Sequence, residues 1–439
     1  KLRFKMKKQI IYTLFFALSG FAATAQETMH PSPAQSKTIV ISGGTIHVGN
    51  GTIIENGTLV LEKGKIKSVS ASPVTISGDV ERIDATGKQV YPGLIASNSS
   101  LGLVEFVSTK STVDIEELGE MNPNIRSIVA YNTDSKIINT VRSNGVLLAQ
   151  ITPQGGMIPG SSSVVQLDAW NWQDAAYAMD NGIHFKMPAL INRPAAFQRR
   201  GANADPVAAG LARLEEARSF FQEAKAYLNE KTHTATNLKF EATRGLFDGS
   251  KPFFVHCDLV KEMLTAIHFA KEFNFKLVLV GATDSWMIAD ILKENNVAVI
   301  LGEIHSLPAT EDDAVDQPYK TPGMLQKAGV IFTMGFEGSD GNWRQRDLPF
   351  HAGTMAAYGV TKEEALSSIT LNAAKILGIS DRTGSIEAGK DANVIISTGD
   401  VLDMRTSVLT HAFIQGRALN LDNKHSQLFE RYKYKYNLK

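Results

Sequence analysis

The sequence predicts an α/β protein built on a TIM-type (β/α)8 barrel, with β-structure at both ends of the chain. Three observations predict it. Residues 38–91 read as short strands broken by turns. From 92 to about 380, apolar strands alternate with helical stretches, the pattern of a parallel α/β architecture. From 383 the chain returns to β-type sequence. The middle stretch holds eight candidate strands, the number a barrel needs.

Taken in order, Met6-Lys7-Lys8 is a short basic segment, residues 10–22 are apolar, and Ala23-Thr24-Ala25 offers small residues for cleavage. Residues 1–25 therefore read as a secretory signal peptide. The apolar run is too short to span a bilayer. The expected product is periplasmic or secreted, with no membrane span after cleavage. Residues 27–37 are polar. Thr38–Ile41, Gly44–Val48, Thr58–Glu62 and Lys65–Ser70 are β-type runs, and Gly43-Gly44, Asn56-Gly57 and Lys63-Gly64 between them suit hairpins. The eight barrel candidates are Gly93–Ile95, Val146–Ile151, Val164–Leu167, Ile183–Met187, Phe253–His256, Leu277–Val280, Val297–Leu301 and Val330–Met334. Residues 205–231 carry apolar side chains at helical spacing after Asp205-Pro206, and 190–250 reads as a helical insert. A further helix starts at Thr283/Asp284. Thr361 and Glu364 form a capping box leading into a helix over Ala365–Leu377 that stops at Gly378. Residues 407–420 suit a hairpin around Gly416, and the tail from 421 to 439 is polar and aromatic.

Lys+Arg and Asp+Glu each number 45, so the formal net charge is zero and nothing points to nucleic acid. The single cysteine, Cys257, cannot form an internal disulfide, so stability must come from the core. It follows Phe253-Phe254-Val255-His256 and reads as a packed side chain rather than a nucleophile.

Three segments in this order carry a resemblance. They are Ile41–His47 with Leu61–Ile66, then Tyr91-Pro-Gly-Leu-Ile95, then Thr370–Gly378 followed by Gly384-Ser-Ile-Glu-Ala-Gly-Lys-Asp-Ala-Asn393. Together they resemble the amidohydrolase superfamily, in its imidazolonepropionase-like and prolidase-like branch, across nearly all of the chain beyond residue 25. The resemblance implies a distorted TIM barrel over 92–382. It also implies a small β-sandwich composed of 37–91 and 383–420.

It further implies metal ligands at the C-terminal strand ends: an H-x-H on strand 1, a carboxylated lysine or glutamate on strand 4, histidines on strands 5 and 6, and an aspartate on strand 8. Strand 1 here has Asn98 and Ser100 at the two histidine positions and Ala96 at the acidic one. Neither Asn nor Ser is a good Zn²⁺ ligand. Strand 4 offers Lys186, as a bridging lysine or as a snorkelling surface one. Strand 5 keeps His256, either a ligand or a remnant hydrogen-bonded in a polar pocket. Strand 6 has no histidine near 281–282. On strand 8, Glu337 or Asp340 could replace the aspartate, although Asp340-Gly341 also reads as a turn. After strand 7, Glu303 and His305 fall on one face of an extended segment, as acid/base or binding groups or as a solvated loop. Arg344 and Arg346 offer guanidinium groups to a carboxylate, and the loop 153–163 offers backbone N–H groups. A catalytic Zn²⁺ takes three protein ligands. This set argues against a binuclear centre and leaves room for one divalent ion, Zn²⁺, near His256.

The resemblance thus implies an exported hydrolase of C–N bonds, other than conventional peptide bonds, in small cyclic amides or dipeptide-like substrates, with a reduced or atypical metal site. The alternative is a catalytically inactive protein of the same fold that binds a ligand. A second copy, or an active relative paired with it, is the expected protein partner.

Overall fold

Both ends of the chain build one sheet. The computed structural model describes residues 30–438, except 75, 77, 192–204, 309, 339 and 340. The expected signal peptide lies outside them. In chain order the first strands are β1 (Thr38–His47), β2 (Ile53–Glu62), β3 (Lys65–Ser70), β4 (Val80–Asp84) and β5 (Gln89–Pro92). Next come β6 (Leu94–Ser99), β7 (Glu116–Glu117), β8 (Val146–Ile151), β9 (Gln154–Gly155), β10 (Gly160–Gln166) and β11 (Ala176–Lys186). The series continues with β12 (Phe253–Cys257), β13 (Leu277–Gly281), β14 (Ala298–Leu301) and β15 (Phe332–Met334), and ends with β16 (Val394–Ser397), β17 (Leu409–Ile414) and β18 (Arg417–Ala418).

The end sheet has the order β18-β17-β16-β5-β1-β2-β3, with β4 also on β1. Its core includes Ile41, Leu59, Leu61, Val90, Val394 and Phe413. The runs 38–41 and 44–48 are one strand rather than two. Gly43, at φ +81, lets the chain shift register there without ending it. Asn56-Gly57 likewise lies inside β2, not in a hairpin, whereas Lys63 and Gly64 both take positive φ in the β2–β3 turn as expected.

All eight expected barrel strands are present, in the order β15-β14-β13-β12-β11-β10-β8-β6. A bridge between Ser97 and Gly335 joins the first strand to the last. A Cβ on Gly335 would lie 2.2 Å from the Ser97 carbonyl oxygen, so only glycine permits this approach. One strand departs from the (β/α)8 plan: β10 is antiparallel to both β8 and β11. The connections on either side of β10 are too short for a parallel crossover, which needs about a dozen residues or more.

The helices used below are α1 (Lys136–Arg142), α2 (Pro206–Asn229), α3 (Val260–Phe273), α4 (Gln317–Ala328), α5 (Leu348–Ala357), α6 (Lys362–Ser368), α7 (Leu371–Ile376) and α8 (Lys424–Lys435). The single helix expected over 365–377 is broken at Ile369-Thr370, where the Ile369 carbonyl accepts from Ile95 N–H. At 283–294 a 3₁₀ turn, Ser285–Ile288, precedes the helix. None of the described helices is long and apolar enough to cross a membrane.

Inside the barrel, Ile95, Leu148, Phe254, Val278, Val280 and Ile300 pack on α7 through Ala373, Ala374 and Ile376. Farther along the strands the interior turns polar, with Ser97, Gln150, Ser162, His184 and Thr333 all fully buried. Two charged knots tie distant segments together. Arg142 and Arg417 share the buried carboxylate of Asp168 at 2.6 and 2.8 Å, and Asp168 also accepts from Ser32 N–H. Asp391 accepts from Tyr177 Oη at 2.5 Å and pairs with Lys65.

Candidate active site

The parallel register of β11 on β12 sets Lys186 beside His256 and His184 beside Phe254. Side chains alternate along a strand, so these four share the interior face while Phe185, Phe253 and Val255 join the outer core. His184 is wholly buried and stacks on Phe254 with centroids 4.7 Å apart. Its Nδ1 lies 2.9 Å from His256 Nε2, and His256 Nδ1 lies 2.9 Å from Glu337 Oε1. The three form a line from the barrel mouth, where the Glu337 side chain is 49% exposed, into the interior.

Electrostatics sets the protonation at the two ends of this line. The hydrogen bond from His256 holds the Glu337 carboxyl below its ordinary value, and Lys186 acts in the same direction. Burial pushes the His184 pKa well down, helped by His256 and Lys186. With Glu337 ionised, His256 Nδ1–H donates to it, and a second hydrogen bond joins His256 Nε2 to His184 Nδ1. His184 Nε2 lies buried inside the barrel with no hydrogen-bond partner among the described residues.

Beside the Lys186 end of β11 opens a cleft of about 640 Å³, lined among others by Glu117, Gln154, Gly156, Lys186, Met187 and Arg213. The loop expected to offer backbone donors forms part of its wall. Several of those donors are already engaged: Gln154 N–H donates to Ile115 O, Met157 N–H to the Glu120 carboxylate and Ile158 N–H to Glu120 O. Arg213 pairs with Glu120.

Asn98 is buried at φ +49, and its N–H donates to Gln150 Oε1 at 3.1 Å. The left-handed turn at Asn98 interrupts the plain alternation that would set 98 and 100 on one face, and the β6–β8 register shifts there. Ser100 Oγ donates to Gly338 O at 3.0 Å. The segment of Glu303 and His305 is not extended as expected: the chain bends there, and Ser306 N–H donates to Ile304 O. Glu303 pairs with Arg344. His305 Nε2 is 2.7 Å from Thr354 Oγ1 on α5. That hydroxyl donates to Phe350 O, so it accepts from His305 Nε2–H. Arg344 is thus tied to a protein carboxylate, and Arg346 lies over the Trp343 ring at 5.1 Å and 3.5 Å from Asp347. Asp340 lies outside the described residues.

This donor set does not fit the metal centre that the fold implies. Both ring nitrogens of His256 are engaged, one by Glu337 and one by His184, and the carboxylate and the second imidazole lie on opposite sides of that ring. Positions 98 and 100 carry an amide and a hydroxyl, and Ala282 stands at the tip of β13. Among the described residues, no three His, Cys, Asp or Glu side chains converge in a way that could hold a metal ion.

Two histidines of interest are not singled out by the sequence. His184 lies between Ile183 and Phe185, and its signal is its two-residue spacing from Lys186 on a strand adjoining that of His256. His351 is buried on α5 and stacks on His305 with centroids 3.8 Å apart. Burial, and then the nearby His305 and Arg344, push its pKa down to about 3.

The sequence model of the amidohydrolase family matches residues 189–421. An imidazolonepropionase from Mesorhizobium japonicum is 24% identical over 372 residues, covering 78% of this chain and 87% of that protein. The crystal structure of an amidohydrolase from Thermotoga maritima MSB8 superposes with a TM-score of 0.73 at 23% identity, covering 87% of this chain and 99% of that one. A prolidase complexed with N-methylphosphonate-L-proline superposes at 0.52 with 15% identity, covering 88% and 100%.

Proposed function

Because this chain belongs to the amidohydrolase family, we propose that it is an exported hydrolase of C–N bonds in small cyclic amides or dipeptide-like molecules, working at a rebuilt site. The family generally uses divalent metals. The observation that carries the proposal is the hydrogen-bonded line Glu337–His256–His184 at the C-terminal mouth of the barrel, the end where barrel enzymes keep their chemistry. Lys186 and the adjoining cleft give room for a substrate beside it. In this reading Glu337 is the group that meets water. It takes a proton from the attacking water and passes it to the leaving nitrogen as the C–N bond breaks, while His256 orients the carboxylate and His184 orients His256. Lys186 places a positive charge where a carbonyl oxygen gains negative charge. A carboxylate held below its ordinary pKa is a weak base, so turnover is expected to be slow. The segment Met6–Ala25 supports export.

A second reading has its own observation. Both nitrogens of His256 are occupied within the protein, which suits a barrel that binds a small amide without turning it over.

One experiment separates the readings. Purified protein is treated with chelator and assayed on a panel of cyclic amides and dipeptides, with and without added Zn²⁺ or Mn²⁺, alongside Glu337→Gln. The proposal expects slow, chelator-insensitive turnover that Glu337→Gln abolishes. Turnover that needs one or two equivalents of metal would overturn the rebuilt site. Saturable binding without turnover would establish the second reading.

A further inference from the structure

The C-terminal helix α8 carries a face that the mouth of the barrel does not use. Asn423 caps it through His425 N–H and Ser426 N–H, and Asn423 Nδ2 donates to Ser143 Oγ at 3.1 Å, just beyond α1. The helix is thus fixed to the body at its start, yet none of its residues is buried. His425, Leu428, Phe429, Tyr432 and Tyr436 recur at helical spacing and form one stripe. Phe429 is 64% exposed, Tyr432 50% and Tyr436 61%. Four cations, Lys424, Arg431, Lys433 and Lys435, stand around it against one anion, Glu430, in a chain whose net charge is zero. Lys435 Nζ lies 5.8 and 5.0 Å from the Tyr432 and Tyr436 ring centres.

We infer that α8 seats the protein on an anionic phospholipid surface, with the Phe429–Tyr432–Tyr436 stripe in the headgroup layer and the lysines on lipid phosphates. The composition favours lipid over a protein partner. Aromatic rings with a polar tip belong at the apolar–aqueous boundary, and cations flanking them complement a negative surface. Protein interfaces also take Tyr and Phe but are poor in lysine, and Lys424, Lys433 and Lys435 flank this stripe.

The test uses protein from an exporting host whose N-terminus lies beyond residue 25, so that residues 10–22 cannot contribute. It is sedimented with vesicles of phosphatidylcholine, with and without phosphatidylglycerol, at low and high salt. We expect binding that needs phosphatidylglycerol and weakens with salt. It should fall at least tenfold in Phe429→Ser/Tyr432→Ser/Tyr436→Ser. In Lys433→Gln/Lys435→Gln, which keeps the stripe, it should fall roughly 25-fold, about fivefold per cation. Circular dichroism of each variant confirms that it is folded. No vesicle binding at low salt, equal binding to neutral vesicles, or full binding by either variant would overturn the inference. So would a dimer in light scattering that the stripe variant dissociates and that binds no vesicles.

Discussion

Replacing Gly335 with alanine tests the seam that closes the barrel. The added Cβ would sit 2.2 Å from Ser97 O and 3.1 Å from Asn98 Cβ, where ordinary contact begins at 3.4 Å. The seam must therefore open by about 1 Å. Overpacking of this kind costs about 1–3 kcal/mol, and a strained seam bridge adds about 1 kcal/mol. The lower entropy of alanine in the unfolded chain offsets about 0.4–1 kcal/mol. The net is about 2 kcal/mol. Unfolding entropy of about 2.1 cal/mol/K per residue over the chain turns this into a Tm about 2–3 °C lower. Gly302 is the matched control, since a Cβ there meets no atom of the described residues within 4 Å. Both variants would be followed by calorimetry, with the His256 imidazole resonance reporting on the mouth of the barrel. Gly335→Ala should melt lower and shift that resonance, and Gly302→Ala should do neither. Equal melting temperatures for the two variants would refute the claim that glycine is required for closure.

Other outcomes follow from the same structure. Arg142→Ala leaves buried Asp168 with Arg417 as its remaining ion-pair partner, so urea unfolding should show a loss of about 3 kcal/mol, the low end for a broken buried pair. His351 has a folded pKa near 3, below its unfolded value. Its contribution is complete above about pH 6.5 and is lost as the pH falls toward 3, with a ceiling of about 5 kcal/mol. His351→Gln should flatten that acid limb in pH-dependent urea melts, and a limb of unchanged slope would contradict the assignment. Glu337 is also held low by His256, so its contribution is present above its ordinary pKa and fades only below it. Because the side chain is half exposed, Glu337→Gln should lower stability only modestly at pH 7, and the difference from wild type should vanish as the pH falls well below 4.5.

Much of the barrel could be read from the chain because its strands are short apolar runs bounded by turns. Val146–Ile151 coincides with its strand residue for residue. Strand direction was harder to read, since an apolar run has no polarity. The reversed β10 was legible only in the shortness of the loops around it. The site was less legible still. His256 stood out because it sits at a strand tip, but its partner His184 looks like one more position in an apolar strand until β11 and β12 are laid side by side. Asn98 defeated simple alternation because a left-handed residue turns the strand at that point. Glu303 and Arg344 read as separate candidates, and only the folded chain shows that they neutralise each other.

The sheet made from both chain ends has a consequence for how the protein is assembled. β5 lies between β1, which begins at Thr38, and β16, which begins at Val394. A growing chain can form the β1–β2–β3 meander early, yet β5 keeps one hydrogen-bonding edge open until almost the whole polypeptide has emerged. Contacts this distant in sequence raise contact order and slow folding. A fragment ending before β16 would expose that edge to other chains. Truncation that removes β16 is therefore expected to yield aggregation rather than a smaller folded barrel.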